Sequence, residues 1–315
     1  RVSFELGKAK VLLKEFKIGW QNYEYRWKIP PTNQTKWPFY KKAVWNGEKN
    51  KRVALWREQG IGDEIAFLGL LPEVQEICSS LSVYVDPRLL PLCERSLEGI
   101  SFFPYLESKK NMEYDYHLPL GSLPRLFRND IRDFDKTTRG YLRADKKKVQ
   151  SMRIDLGLDR KQVIGISWKS FDAINSSNKN LSLIDYKDLF EGMDVVLLNL
   201  QYGDVDDEIR EFREKTGIEI ICCNSIDNRE DLDGLAALIE VCDLVVSTSN
   251  ATIHLAGALG KDTFLLLPLV TNTWLHLDLE KSLWFPSLTL YRQNRLNNWK
   301  DVLESVQKDL RARFK

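Results

Sequence analysis

Apolar positions recur at helical spacing through residues 1–28, first as Phe4, Leu6, Val11, Leu12 and Leu13, then as Phe16, Trp20, Tyr23 and Trp27. A break at 17–19 divides the run, so the pattern predicts two amphipathic helices back to back. Residues 29–50 lose that period and carry Pro30, Pro31 and Pro38. They predict a connector held to a surface by Trp37, Phe39, Tyr40 and Trp45. From residue 51 the pattern changes to short apolar runs alternating with helix-period segments. Strands are expected at 51–57, 81–85 and 114–118, then at 163–168, 195–200, 219–222, 243–246 and 263–267. Helices are expected between them, at 146–156 and 231–241 among others, and a closing helix at 298–314 puts Val302, Val306 and Leu310 on one stripe. Such alternation predicts mostly parallel sheets covered by helices on both faces. The charged stretch 125–159 separates two groups of strands. The expected organisation is a helical hairpin at 1–28, a connector at 29–50, an α/β lobe at 51–159, a second at 160–296 and a C-terminal helix at 297–315.

The most informative stretch is DLVVSTSNATIHLAGALG, residues 243–260. An apolar, β-branched run stops at Ser247, Thr248, Ser249 and Asn250, a cluster that caps a helix start. In the helix that follows, Leu255 and Leu259 share a face, Ala256, Gly257 and Ala258 leave room for packing against a sheet, and Gly260 ends it. A strand entering a helix through a polar turn leaves backbone N–H groups and the positive end of the helix dipole at the sheet edge. Phosphate suits such a site, although the same pattern serves as a plain βα turn.

A second strand-to-helix turn, EQGIGDE at 58–64, carries Gly60 and Gly62, which let a ligand approach the backbone, and Asp63, a candidate base. The six-residue dinucleotide fingerprint is absent from it, and Asp63 equally suits a helix N-terminus on electrostatic grounds. A third turn, PLGSLP at 119–124, brings Ser122 and the preceding His117 toward the same edge, with nothing in the sequence to pair with His117. Lys169 and Lys179 flank the polar loop after the 163–168 strand, and Ser182 with Asp185 predicts a capped helix beyond it. Gln201 and Trp274 complete the candidates; Trp274 suits either stacking on a base or packing in the core. His254, one turn into its helix, suits a donor contact and a structural role alike.

Composition narrows the function classes. Lys and Arg number 46 against 45 Asp and Glu, a net charge of +1, so no global field points to nucleic acid or an anionic membrane. No apolar run approaches the ~20 residues of a membrane span, and the N-terminus lacks a signal-peptide pattern. The five cysteines are an odd count without metal-ligand spacing, which predicts a reduced, cytoplasmic protein. The chain opens on Arg1, as a piece of a longer protein would.

Five phrases taken together carry a resemblance: EQGIGD (58–63), DYHLPLGSLP (115–124), GISWKS (165–170), STSNATIHLAGALGK (247–261) and LWFPSLTLYRQ (283–293). With FELGKAKVLLKEFKIGWQNYEYRW at the start, which is similar to the last unit of a tetratricopeptide array, the chain resembles the bacterial tetratricopeptide-linked glycosyltransferases. It is similar to the family 9 heptosyltransferases and, more remotely, to the protein O-linked N-acetylglucosamine transferases. The resemblance implies a GT-B fold, two Rossmann-like lobes facing a cleft, and transfer of a sugar from a nucleotide diphosphate to a protein or glycan hydroxyl with inversion. It implies no metal and no cofactor besides the donor, and possible repeats upstream. By motif, Asp63 corresponds to the proposed general base, with Gly60 and Gly62 beside it. Lys179 falls where relatives bind phosphate, with Lys169 as competitor. Ser249, Asn250, Ala251, Thr252 and His254 correspond to the diphosphate-binding helix start. Many relatives have Asp-Thr where Ser249 and Asn250 stand, which leaves nucleotide and sugar open. Glu64 is a further departure. A non-catalytic nucleotide-sugar-binding scaffold and a sugar-nucleotide epimerase of the same fold are the competing readings.

Overall fold

The first two helices approach so closely that only glycine fits between them. In the computed structural model, α1 (Val2–Leu12) and α2 (Phe16–Tyr23) are joined by a short turn and packed backbone to backbone. A Cβ on Gly7 would lie 2.7 Å from the Tyr23 nitrogen, and one on Gly19 would lie 2.8 Å from the Val11 nitrogen. Both are closer than real Cβ atoms come. Gly7→Ala should therefore cost about 1–3 kcal/mol by overpacking, seen as a lower denaturant midpoint. An unchanged midpoint would mean that the helices part freely.

The structure describes residues 1–30, 41–105, 113–171, 179–271 and 273–315. Trp37, Phe39 and Tyr40 of the expected connector lie outside them. The described chain forms two units, the first made of Arg1–Leu142 with Asn272–Leu279 and the second of Arg143–Thr271 with Glu280–Lys315. In the first, a 3-10 turn at Glu24–Lys28 follows α2. Then come β1 (Ala43–Val44), β2 (Arg52–Trp56), α3 (Ile61–Leu68), α4 (Leu71–Ile77), β3 (Ser80–Val85), α5 (Leu90–Ser96), β4 (Ser101–Pro104), β5 (Tyr116–Pro119) and α6 (Pro124–Phe127). The strands form one parallel sheet in the order β1-β5-β2-β3-β4. The chain runs outward from β2 to β4 and returns to the other side of β2 as β5. The topological switch therefore lies between β2 and β5, where open parallel sheets place ligands.

The second unit holds α7 (Lys146–Asp155), β6 (Val163–Ser167), α8 (Lys187–Phe190), β7 (Val196–Asn199), α9 (Asp206–Thr216), β8 (Ile220–Ile221), α10 (Leu232–Val241), β9 (Leu244–Thr248), α11 (Ala251–Ala258), β10 (Thr263–Leu267), β11 (Leu288–Arg292) and α12 (Lys300–Arg313). Its parallel sheet has the order β11-β10-β9-β6-β7-β8, with a switch between β6 and β9. The core gathers Ile164, Trp168, Tyr186, Phe190 and Phe212 beneath the Val302, Val306 and Leu310 stripe of α12.

Two placements differ from the sequence reading. The helix assigned to the first lobe, α7, belongs to the second unit: Lys148 pairs with Asp233 at 2.8 Å and Arg153 donates to the Val241 carbonyl at 3.1 Å, both on α10. The division thus falls after Leu142, not at 159. Residues 272–279, assigned to the second lobe, are part of the first unit because Trp274 is buried there among aromatic rings. Strands β1, β4 and β11 were not anticipated; β1 and β4 are short, and β11 reads as part of a loop. Among the described residues no helix is long and apolar enough to cross a membrane.

Candidate functional site

In the second unit, the carboxyl ends of β9, β6 and β7 lie side by side, with Ser167 opposite Ser247 and Ile166 opposite Asn199. Four of the candidates lead out of these ends: Ser249 and Asn250 from β9, Lys169 from β6 and Gln201 from β7. Asn250 caps α11, its Oδ1 accepting from the Thr252 nitrogen at 3.1 Å. Its Nδ2 donates to Ser167 Oγ at 2.6 Å and to the Lys169 carbonyl at 3.2 Å, so the amide ties the helix start to the β6 loop across the switch point. Gln201 braces the same loop. Its Oε1 accepts from Ser167 Oγ at 3.0 Å and from the Trp168 and Lys169 nitrogens at 2.9 Å each. Both amides are buried and committed, Asn250 at 5% exposure and Gln201 at 2%. They are placed to shape the 249–250 turn, and Gln201 is a brace where a cleft contact was expected. Ala251 and Thr252 open the helix, where N–H groups lack intrahelical partners. Ser249 is half-buried beside them.

The two lysines differ in surroundings. Lys169 Nζ lies 2.6 Å from Glu208 on α9, and the other oxygen of that carboxylate accepts from Trp168 Nε1 at 2.8 Å and the Leu183 nitrogen at 3.2 Å. Lys169 is thus part of a bracket that seats α9 on the β6 loop. Lys179 adjoins Asn180, whose side chain accepts from the Ser170 nitrogen at 2.8 Å and donates to the Ser170 carbonyl at 3.1 Å. That pair clamps the two ends of the loop together; residues 172–178 lie outside the described chain. The capping box holds, with the Ser182 nitrogen donating to Asp185 at 2.8 Å. On α11, His254 sets its ring edge-on to Phe285 at 5.8 Å. Gly257 packs against that same phenyl ring, not against the sheet: a Cβ there would come within 2.4 Å of it.

In the first unit, β2 feeds the 57–60 turn that opens α3, and β5 feeds the Leu120–Ser122 turn, one on each side of the switch point. Gly60 caps α3 with φ −64°, and among the described residues a Cβ there would meet only Asp63 Oδ2, at an ordinary 3.6 Å. Neither conformation nor packing requires glycine at this position. Gly62 and Asp63 sit half-buried in the first turn of α3. Tyr23 reports the charge of Asp63: burial first, and then this carboxylate, holds its phenol well above the usual range.

Glu64, one residue on, points elsewhere. It is 2% exposed, accepts from Arg57 Nε at 2.6 Å and from the Asp86 nitrogen at 2.7 Å, and thereby fastens the end of β2 to the end of β3. Burial pushes its carboxyl up to about 7 against the pull of Arg57. A carboxyl raised in the folded state favours folding below the unfolded value of 4.5 and loses that contribution as pH rises through about 7. Between pH 4.5 and 8 the wild type should thus lose on the order of 3 kcal/mol relative to Glu64→Gln, measured by urea unfolding at both pH values. Parallel stability curves would contradict this.

Two candidates prove structural. His117 is 1% exposed, and its Nδ1 accepts from Trp56 Nε1 at 3.1 Å inside the sheet. Burial lowers its pKa. Trp274 stacks on Phe67 at 5.0 Å and stands edge-on to Trp20 at 5.4 Å, so the ring considered for base stacking is a core aromatic. Ser122 is 1% exposed and hydrogen-bonded to Arg26 and Glu24. Among the described residues no group of three or more His, Cys, Asp or Glu is arranged to hold a metal ion.

With these sites in place, comparison with known proteins defines the fold. No family model matches the sequence. Over 98% of its length the chain is 30% identical to the protein FlbA of Caulobacter vibrioides, and it spans 54% of that protein's length. A family 9 glycosyl transferase from Veillonella parvula superposes with a TM-score of 0.57 at 12% identity, covering 78% of this chain and 87% of its own. The E. coli ADP-heptose LPS heptosyltransferase II gives 0.57 at 11% identity, covering 83% and 98%. E. coli heptosyltransferase WaaC with ADP-2-deoxy-2-fluoro heptose gives 0.52 at 13%, covering 83% and 99%. The fold is that of the family 9 glycosyltransferases.

On that fold, several residues at the two switch points had not been singled out in the sequence. Ser167, Asn180 and Glu208 serve the second unit; Arg26, Glu58 and Gln59 serve the first, together with Tyr23, which the hydrophobic pattern marks only as a helix position. Ser167, Glu58, Gln59, Tyr23 and Arg26 lie inside the phrases that carry the resemblance. Glu208 sits among seven acids and bases of α9 and carries no local signal.

Proposed function

We propose that this chain is a glycosyltransferase that moves a sugar from a nucleotide-diphosphate donor to an acceptor hydroxyl. The observation that carries this reading is the switch point between β6 and β9, where a capped helix start and a lysine-bearing loop meet at the carboxyl ends of parallel strands. An anionic diphosphate suits that place on electrostatic grounds. The fold shared with proteins whose own structures hold an ADP-sugar supports it further.

In this reading α11 and Lys179 bind the diphosphate, with the lysine and the helix end supplying the positive charge. Asp63 acts as general base. The acceptor oxygen bonds to the anomeric carbon while its proton passes to Asp63. The bond from that carbon to the diphosphate oxygen breaks, and the leaving group departs with the electron pair. A single displacement of this kind inverts the anomeric centre. Gly60, which the protein's own packing does not require, leaves backbone open for a ligand to approach. The acceptor is proposed to be a protein, in line with a helical pair resembling a tetratricopeptide unit at the start of the chain.

The reading is tested by thermal unfolding against a panel of nucleotide sugars that includes ADP-heptose and UDP-N-acetylglucosamine. A ligand bound by the native state alone raises the melting temperature by mass action. One member should do so, and its nucleoside diphosphate should retain most of the shift. No shift with any nucleotide sugar or nucleoside diphosphate would overturn the proposal.

A further inference from the structure

We propose that Arg26, contributed by the N-terminal helical pair, is the positioning residue of the turn that leads to Asp63. This rests on the reading of Asp63 as the base. Arg26 lies in the 3-10 turn after α2 and is 3% exposed. Its Nη1 donates to Glu24 at 2.6 Å and to the Tyr23 carbonyl at 3.4 Å. Its Nη2 donates to Glu58 Oε1 at 3.1 Å and to Ser122 Oγ at 2.8 Å. Glu58 lies in the turn after β2 and Ser122 ends the turn after β5, so one nitrogen spans the switch point of the first unit's sheet. The guanidinium also packs on the rings of Tyr23 and Trp27, at 5.0 and 4.8 Å.

The contact reaches the turn by two routes. Tyr23 Oη donates to Gln59 Oε1 at 2.7 Å, and Gln59 Nε2 donates to Glu58 Oε1 at 3.0 Å. The turn after β5 is cut to admit these side chains, since a Cβ on Gly121 would come within 2.3 Å of Glu58 Oε1 and 2.4 Å of Gln59 Nε2. Glu58 is 1% exposed at its side chain, and its second oxygen has no hydrogen-bond partner among the described residues. Its orientation therefore depends on Arg26 and Gln59.

Docking alone would not call for this arrangement. The helical pair already docks through aromatic contact, Trp20 and Tyr23 against Trp274. Buried ion pairs add little stability over apolar side chains of similar volume, but their directional bonds fix geometry. Asp63 lies five residues beyond Glu58, at the start of α3. Burial first, then Asp63, Arg26 and Glu58, set the direction of the Tyr23 phenol, and Tyr23 is itself bonded to Gln59 of the turn.

The test uses the full chain with Arg26→Gln, Arg26→Lys and Asp63→Asn. In amide hydrogen exchange, Arg26→Gln should speed exchange at 58–64 by about tenfold while β3 and the second unit stay protected. With the donor found by the nucleotide-sugar panel, Arg26→Gln should lower kcat and leave the donor KM unchanged, and Arg26→Lys should restore part of the loss. Unchanged exchange at 58–64 would overturn the inference, whether or not a donor has been found. So would a full kcat in Arg26→Gln, or equal loss in both Arg26 variants with a raised donor KM. Full turnover in Asp63→Asn would instead remove the reading on which the inference rests.

Discussion

Asp63→Asn is expected to lower donor turnover by about 10²–10⁴-fold, the usual contribution of a positioned general base, while leaving donor affinity unchanged. The substitution keeps size and shape but removes both the capacity to take a proton and the negative charge that acts on Tyr23. The neighbouring carboxylate cannot stand in. Glu64 is turned about 100° around the helix, where it is buried and held by Arg57 and the Asp86 backbone. Stability should change little, because a carboxylate in the first turn of a helix contributes only about 0.3–1 kcal/mol through the helix dipole. Full turnover by the Asp63→Asn protein, measured as nucleoside diphosphate released, would remove Asp63 from the mechanism.

Lys179→Ala is expected to weaken donor binding by about 10- to 100-fold, the worth of a charge-assisted hydrogen bond to phosphate. Lys169→Ala should act differently. Its ammonium sits on Glu208, which also holds Trp168 Nε1 and the Leu183 nitrogen, so its loss should loosen the seat of α9 and lower stability more than affinity. Calorimetric titration of both variants with the nucleoside diphosphate separates the roles. Unchanged affinity in Lys179→Ala together with a large loss in Lys169→Ala would reverse them.

The alternation of strand and helix was legible because each strand is a short apolar run closed by polar or glycine residues. The 243–246 run, closed at Ser247, is an example, and the buried stripe of α12 is its helical counterpart. The Asn250 turn was legible as a cap for the same reason: hydroxyl and amide side chains before a helix have a local chemical meaning. What Asn250 caps against was not. Its bonds to Ser167 and Lys169 span more than 80 residues, and strand order alone brings them together. Trp274 takes the core place that was one of its two readings, but its lobe was not legible, because its place in the chain follows β10 whereas its place in space is set by Phe67 and Trp20. Arg26 lies inside the phrase similar to a tetratricopeptide unit, but nothing in that phrase marks it as buried. An arginine in an amphipathic helical segment is ordinarily exposed, and only the two turns it reaches reveal why this one is buried.

The measurement that bears most directly on the central claim is product analysis by mass spectrometry after incubating the full chain with each nucleotide sugar and a protein acceptor, with Asp63→Asn in parallel. The account predicts free nucleoside diphosphate and sugar attached to the acceptor, both strongly reduced in Asp63→Asn. A donor that binds yet stays intact, as on a scaffold, or an altered sugar still attached to its nucleotide, as from an epimerase, would contradict it.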